Sequence, residues 1–272
     1  MKIVSLVIFL LAAPIAVFAQ FFPKKPASGL RPQVMHADPV YEDMTTVLGA
    51  RKGENELNLN FGYSRLKNTH HNLLGQIEYE IAPVDYLGFE IVLPYSLYFS
   101  NEMSPVPRPD NQLEFLQWAS QYTFYVNENK GISMGLGFKN VLEMRSPEGQ
   151  NSDFKLEEMS LLPFYMIGKN WKDTYFFLFS GGPEITRQLR PLETEWAINL
   201  NSNFHYAFSE KDHMVGLEIN KQIAEGAIGM IFRPQLTLNV WEDIVVGMAV
   251  GIPVGLEEDK WNAFVRLAYE FR

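Results

Sequence analysis

Cysteine is absent from the 272 residues. That excludes disulfides, thiolate metal sites and a lipid-modified cysteine anchor. Long hydrophobic runs are missing as well. Beyond the amino terminus there is no stretch of about 18 apolar residues, which excludes membrane-spanning helices. Basic charge is scarce: 23 Lys and Arg stand against 32 Asp and Glu, a formal net charge of −9. Nucleic-acid binding therefore has no electrostatic support. The acidic excess either favours cations or keeps an exported chain soluble in transit. H-E-x-x-H does not occur, so one common hydrolase signature is also excluded.

Aromatic residues, in contrast, are plentiful, with 20 Phe and 12 Tyr, yet the mean hydropathy is slightly negative. A membrane β-barrel reconciles these facts, because only alternate residues need be apolar. The amino terminus reads as a signal peptide over residues 1–19. Lys2 supplies the positive end and Ile3 to Phe18 the apolar core, and Val17 and Ala19 suit cleavage before Gln20. Residues 20–53 are rich in Pro, Gly and charge, without a sustained period. They predict an extended periplasmic segment or a plug. Residues 54–272 predict the barrel.

From Glu56 onward the hydrophobic period is two. Leu57, Leu59, Phe61 and Tyr63 alternate with Glu56, Asn58, Asn60 and Gly62. Leu87, Phe89, Ile91, Leu93, Tyr95, Leu97 and Phe99 form a longer alternation that no helix sustains. In the last strand, Trp261, Ala263, Val265, Leu267, Tyr269 and Phe271 share one face. Arg266 and Glu270 lie on the other, beside Asn262, Phe264 and Ala268. The pattern predicts an all-β fold: a transmembrane, antiparallel, up-and-down barrel of about twelve strands, with no helix after the leader. Tight connections at 82–86, 127–130, 168–173, 208–213 and 241–243 alternate with others at 100–112, 144–153, 186–193, 222–226 and 254–259. An even number of strands puts both chain ends on one side, the periplasmic one. Trp171 and Trp241 fall in tight turns, where an aromatic girdle is expected. A secreted β-sandwich or lipocalin-like barrel is the soluble alternative. It would turn the same apolar face inward.

Two resemblances follow from these residues. Glu78 to Tyr98 (EYEIAPVDYLGFEIVLPYSLY) resembles the strand–turn–strand unit of outer-membrane barrels grouped with the MetA-pathway of phenol degradation. His36 to Tyr41 (HADPVY), with Gly49 to Glu54 (GARKGE), resembles the amino-terminal signature of a family of Gram-negative envelope barrels without an established activity. Its usual form has Glu where Asp38 stands and Leu where Val40 stands. Both resemblances imply an outer-membrane barrel and neither carries an active site.

The residues opposite the apolar face are the candidate lumen. They are Glu56, Asn58, Asn60, Gln76, Glu78, Glu80, Glu90, Lys139, Glu195, Asn199, Asn201, His205, Glu218, Arg233, Gln235, Arg266 and Glu270. Such a face serves a charge-selective pore or fills a narrow barrel as a polar core. Glu78, Glu80 and Glu90 need cationic partners to stay ionised together; Arg233 and Arg266 are the candidates. Lys139, Arg233 and Arg266 would set the constriction. In the plug or rim, His36 and Asp38 with Glu42 and Asp43 could bind a metal, but their spacing fits no standard motif. Arg51 and Lys52 more naturally seat the segment on carboxylates. Ser202 and His205 fall on opposite faces of one strand, which speaks against a catalytic pair. Gly131 to Gly137 (GISMGLG) sits in strand alternation and suits barrel curvature.

The expected function is passive passage of a small polar solute through an outer-membrane barrel, with no cofactor and no metal. The expected partners are outer-membrane lipid and, during biogenesis, the barrel-assembly machinery. A non-conducting barrel that scaffolds an envelope complex through residues 20–53 is the alternative, and a lipid-modifying enzyme a third.

Overall fold

In the computed structural model the described residues are 31–271, without 43, 67–69, 100–109, 146–154, 190, 210–212 and 256–258. The expected leader lies outside them. Thirteen strand elements follow one another: β1 (Asn55–Leu66), β2 (His71–Val84), β3 (Leu87–Phe99), β4 (Gln112–Leu113), β5 (Phe115–Asn127), β6 (Ile132–Arg145), β7 (Lys155–Trp171), β8 (Tyr175–Gln188), β9 (Thr194–Ala207), β10 (Met214–Ala224), β11 (Ala227–Trp241), β12 (Ile244–Val254) and β13 (Asp259–Phe271). β4 and β5 are one crossing interrupted at Glu114, so the sheet has twelve crossings. Sequential neighbours pair antiparallel, and β1 pairs with both β2 and β13. The sheet is thereby a closed up-and-down barrel.

Closure fixes the register of the last strand. Asn55 faces Phe271, Leu59 faces Leu267 and Asn60 faces Arg266. Side chains alternate across a strand, and burial shows which face points where. Ile77 is 56 % exposed and Glu78 1 %; Ile91 is 52 % exposed and Glu90 2 %. The apolar face points out and the polar face in, the reverse of a soluble barrel. Phe61, Leu93, Tyr95, Val265 and Leu267 continue the exposed apolar band. No helix among the described residues is long and apolar enough to cross a membrane.

One end of the barrel has tight connections. In the three-residue connection from β7 to β8, Lys172 and Asp173 both take left-handed φ, 55° and 54°, as the central pair of a primed hairpin turn does, and the Thr174 N–H closes that turn on the Trp171 carbonyl oxygen at 3.2 Å. Asn170 pins that turn by accepting from the Asp173 N–H at 2.8 Å. Between β5 and β6 a single 3-10 turn, Glu128–Lys130, stands where no helix was expected. The Asn127 side chain accepts from the Lys130 N–H, and Gly131 ends the turn with φ 59°. At the other end, Glu225 and Gly226 join β10 to β11 as a pair with positive φ.

Candidate functional site in the lumen

Residues 32–54 run inside the barrel wall, entering and leaving at the tight-turn end. At the entry, the Tyr86 hydroxyl donates to the Pro32 carbonyl oxygen at 2.5 Å, and the Asn170 amide donates to that of Met35 at 2.9 Å. On return, the Gly49 N–H donates to Thr123 Oγ1 at 2.9 Å, and the Gly53 N–H to the Ala82 carbonyl oxygen at 2.8 Å. Between these points the Met44 N–H closes the loop on Asp38 Oδ1 at 3.0 Å.

Apolar contacts seat this inner segment. Met44 and Leu48 pack on Met166 and Leu178; Ala37 on Phe176 and Met214; Val40 on Ala249 and Phe264. Glycines in the wall make room for it. A Cβ on Gly168 would stand 2.6 Å from the His36 ring, and one on Gly88 would overlap Thr46.

Polar contacts concentrate at residues 38–42. The Val40 N–H donates to Gln235 Oε1 at 2.8 Å. The Tyr41 and Glu42 N–H groups donate to the two oxygens of Glu218 at 3.3 and 3.1 Å. Arg266 donates to the Asp38 carboxylate and, at 3.1 Å, to the Pro39 carbonyl oxygen. Lys139 Nζ donates to Glu42 Oε1 at 2.7 Å. The Arg233 guanidinium lies over the Tyr41 ring, 3.6 Å from its centre. Each of the three cations expected to set the constriction thus meets the inner segment within one five-residue stretch. Burial lowers the pKa of His36 to about 4, and raises that of Asp38 against the opposing pull of Arg266.

The expected lumen residues divide by depth. Asn58, Asn60, Glu78, Glu80, Glu90, His205, Glu218, Arg233, Gln235 and Arg266 are buried. Glu56, Gln76, Lys139, Asn199 and Asn201 are half-buried. Glu195 and Glu270 are exposed, at the ends of β9 and β13. Amides meet the carboxylate cluster: Asn58 Nδ2 donates to Glu78 at 2.9 Å and to Glu80 at 3.0 Å, and Gln117 Nε2 to Glu90 at 2.7 Å. Of the candidate rim pair, Lys52 meets Asp85 through its backbone N–H, at 2.9 Å. Its side chain is exposed, and Arg51 is half-buried. The suggested metal residues are drawn apart, Asp38 to Arg266, Glu42 to Lys139 and His36 to the wall at Gly168; Asp43 lies outside the described residues. Among the described residues no cluster of three or more His, Asp or Glu is placed to hold a metal. His205 takes Asn203 as its hydrogen-bond partner at 2.9 Å.

Sequence reasoning missed Tyr41, Thr46 and Leu48 as inner contacts, and the apolar inward residues Met166, Phe176 and Leu178. A signal for the last two was present. Tyr175 to Phe179 (YFFLF) is apolar on both faces, so its inward face needs a cover.

Above the inner segment, toward the longer loops, lies a cavity of about 350 Å³. Tyr41, Glu42 and Thr45 form its floor, and β8 to β11 form one wall, with Glu184, Asn199, Asn201, Asn220 and Gln222.

Residues 32–270 match the protein family described as HAEPLYID-like. No curated protein matches the chain. Among solved structures it is similar to the KdgM porin, with a TM-score of 0.53 and 13% identity over 79% of this chain and 99% of that one. It is also similar to an outer membrane channel from Pseudomonas putida F1, with a TM-score of 0.57 and 12% identity over 89% of this chain and 100% of that one. At such identities the likeness is one of fold.

Proposed function

The chain belongs to the HAEPLYID-like family, and from that starting point we propose that it is an outer-membrane channel for a small polar solute, closed on its tight-turn side by its own amino-terminal segment. The fold is shared with porins and an outer membrane channel. An exposed apolar band needs lipid, and a closed sheet is what lipid allows. The observation that carries the reading is the latching of Arg266, Lys139 and Arg233 onto residues 38–42. Cations that would line an open lumen are instead spent on holding one internal segment. In this reading residues 1–19 are the export leader and 32–53 the plug. The letters of the family's description, taken as residues, agree with His36–Asp43 (HADPVYED) at five of eight positions. That agreement supports reading the inner segment as the family's signature.

The test is conductance in planar bilayers. The full chain is expected to stay mostly closed, and a chain lacking residues 32–50 to form steady channels. A barrel that inserts and remains insulating after the deletion overturns the channel and leaves the scaffold reading. A stoichiometric envelope partner lost on the same deletion would favour that scaffold directly.

A further inference from the structure

The cavity above the inner segment has a chemistry of its own. Amide side chains dominate its wall, and they are already held in place. Asn199 Nδ2 donates to Glu184 Oε2 at 2.8 Å, Gln222 Nε2 to the same oxygen at 3.2 Å, and Asn220 Nδ2 to Asn201 Oδ1 at 3.0 Å. β8 to β11 are consecutive neighbours in the sheet, so these groups form one continuous face. Asn220 is fully engaged, because its Nδ2 donates also to Glu218 Oε1 at 2.7 Å and its Oδ1 accepts from Arg233, so it positions Asn201 rather than meeting a solute. An amide carries donors and an acceptor. A hydroxyl group needs both.

The charges that line the cavity answer one another. Glu42 is paired with Lys139, Glu184 takes two amide donors, and Arg233 covers one face of the Tyr41 ring. Lys221 is the other cation in the lining. Two carboxylates against three cations leave no strong field of either sign. On the floor, Tyr41 remains 40 % exposed although it lies inside the barrel. An aromatic ring held that way offers a flat apolar surface beside the amides. The cavity stands at the lower end of the range of ligand pockets, roughly 300–1,000 Å³.

From this juxtaposition we infer that the cavity is a binding site for a neutral, hydroxyl-rich solute of one or two sugar rings, with Tyr41 as its platform and Asn199, Asn201 and Gln222 as its hydroxyl contacts. The inference deepens the channel reading by naming the solute class, but the site itself does not depend on conduction. Its floor belongs to the inner segment, so the plug is also part of the receptor. A solute seated on Tyr41 lies against the residues that Arg233 and Lys139 hold.

Isothermal titration of the detergent-solubilised full chain with maltose tests this, with galacturonate and glucosamine as charged probes. Maltose is expected to bind at millimolar concentrations, more tightly than either charged probe. Asn199→Leu and Gln222→Leu are each expected to weaken it by about three- to tenfold, the worth of one hydrogen bond. Tyr41→Ala is expected to weaken it as well. Unchanged heat-modifiable gel mobility would show that the barrels remain folded. No maltose binding, tighter binding of a charged probe, or equal binding by the folded variants overturns the inference. Maltose binding to the full chain, with the barrel still insulating once residues 32–50 are deleted, would uphold this site and sink the channel; conduction by the deleted barrel with no sugar binding to the full chain would do the reverse.

Discussion

Arg266 donates through one nitrogen to the Asp38 carboxylate and through another to the Pro39 carbonyl oxygen, so a single strand residue grips the inner segment at two consecutive positions. The pair lies 228 residues apart in sequence. Register explains the reach: Arg266 stands opposite Asn60 across the closing seam and points inward beside Glu56 and Asn58.

Arg266→Ala should therefore unseat the segment. It leaves the Asp38 carboxylate without its cation, and breaking a buried pair costs roughly 3–5 kcal/mol. The expected outcome is frequent channel opening in bilayers, with barrel mobility on gels unchanged. Adding Asp38→Asn should recover part of the closure, because an amide tolerates burial without a cation. Equal closure in the wild type and Arg266→Ala would remove the latch from the argument.

Acid should loosen the segment through His36. Its ordinary pKa is 6.5, and burial lowers it to about 4. The released segment therefore binds a proton between those values and the seated one does not, so seating weakens as pH falls through that window. A shift of this size amounts to roughly 3 kcal/mol in full. Asp38, whose pKa is raised, acts in the opposite sense, because its seated form takes up the proton first. Open probability is expected to rise between pH 7 and pH 5, and His36→Asn should flatten that rise. A flat profile in the wild type, or an equal rise in the variant, counts against the role.

Much of this architecture is legible in the sequence. The alternation from Leu87 to Phe99 predicts β3 to the residue, and residues 244–253 predict nearly all of β12. Period two is a local property, so single strands can be read without knowing their partners. The orientation of the two faces needs the closed sheet. The inner segment resists such reading for a physical reason. Residues 32–54 have no period, because their side chains answer a curved wall rather than a flat one. Glu42 meets Lys139 across 97 positions, a pairing that nothing in local spacing announces. Glu195 and Glu270 show the other limit, since parity places them inward while strand ends leave them exposed.

Space at Gly88 should matter as much as charge at Arg266. A Cβ there overlaps the Thr46 side chain, and the Gln121 amide holds the Thr46 carbonyl oxygen at 2.7 Å. Gly88→Val is expected to push the returning arm of the segment off the wall while β3 keeps its pairing. Faster trypsin cleavage after Arg51 or Lys52 in the folded barrel would report it. Thr46→Gly in the same chain should restore protection. Should Gly88→Val leave cleavage unchanged, the returning arm is not packed there.

The two faces of β2 should respond oppositely to charge. Ile77 is 56 % exposed near the middle of the strand, and its neighbour Glu78 is 1 % exposed. If the outer band meets lipid, Ile77→Arg places a cation at the hydrocarbon midplane, at a cost of roughly 2–4 kcal/mol. If it meets water, the same change adds a solvated charge on a sheet surface and costs almost nothing. Urea titration of the barrel refolded into lipid vesicles separates the two. A large loss of stability is expected for Ile77→Arg, and a much smaller one for the equivalent change at Val84, which ends the strand on the tight-turn side. Equal small effects at both positions would mean that this apolar face is not solvated by a bilayer, and the barrel would then need another cover for it.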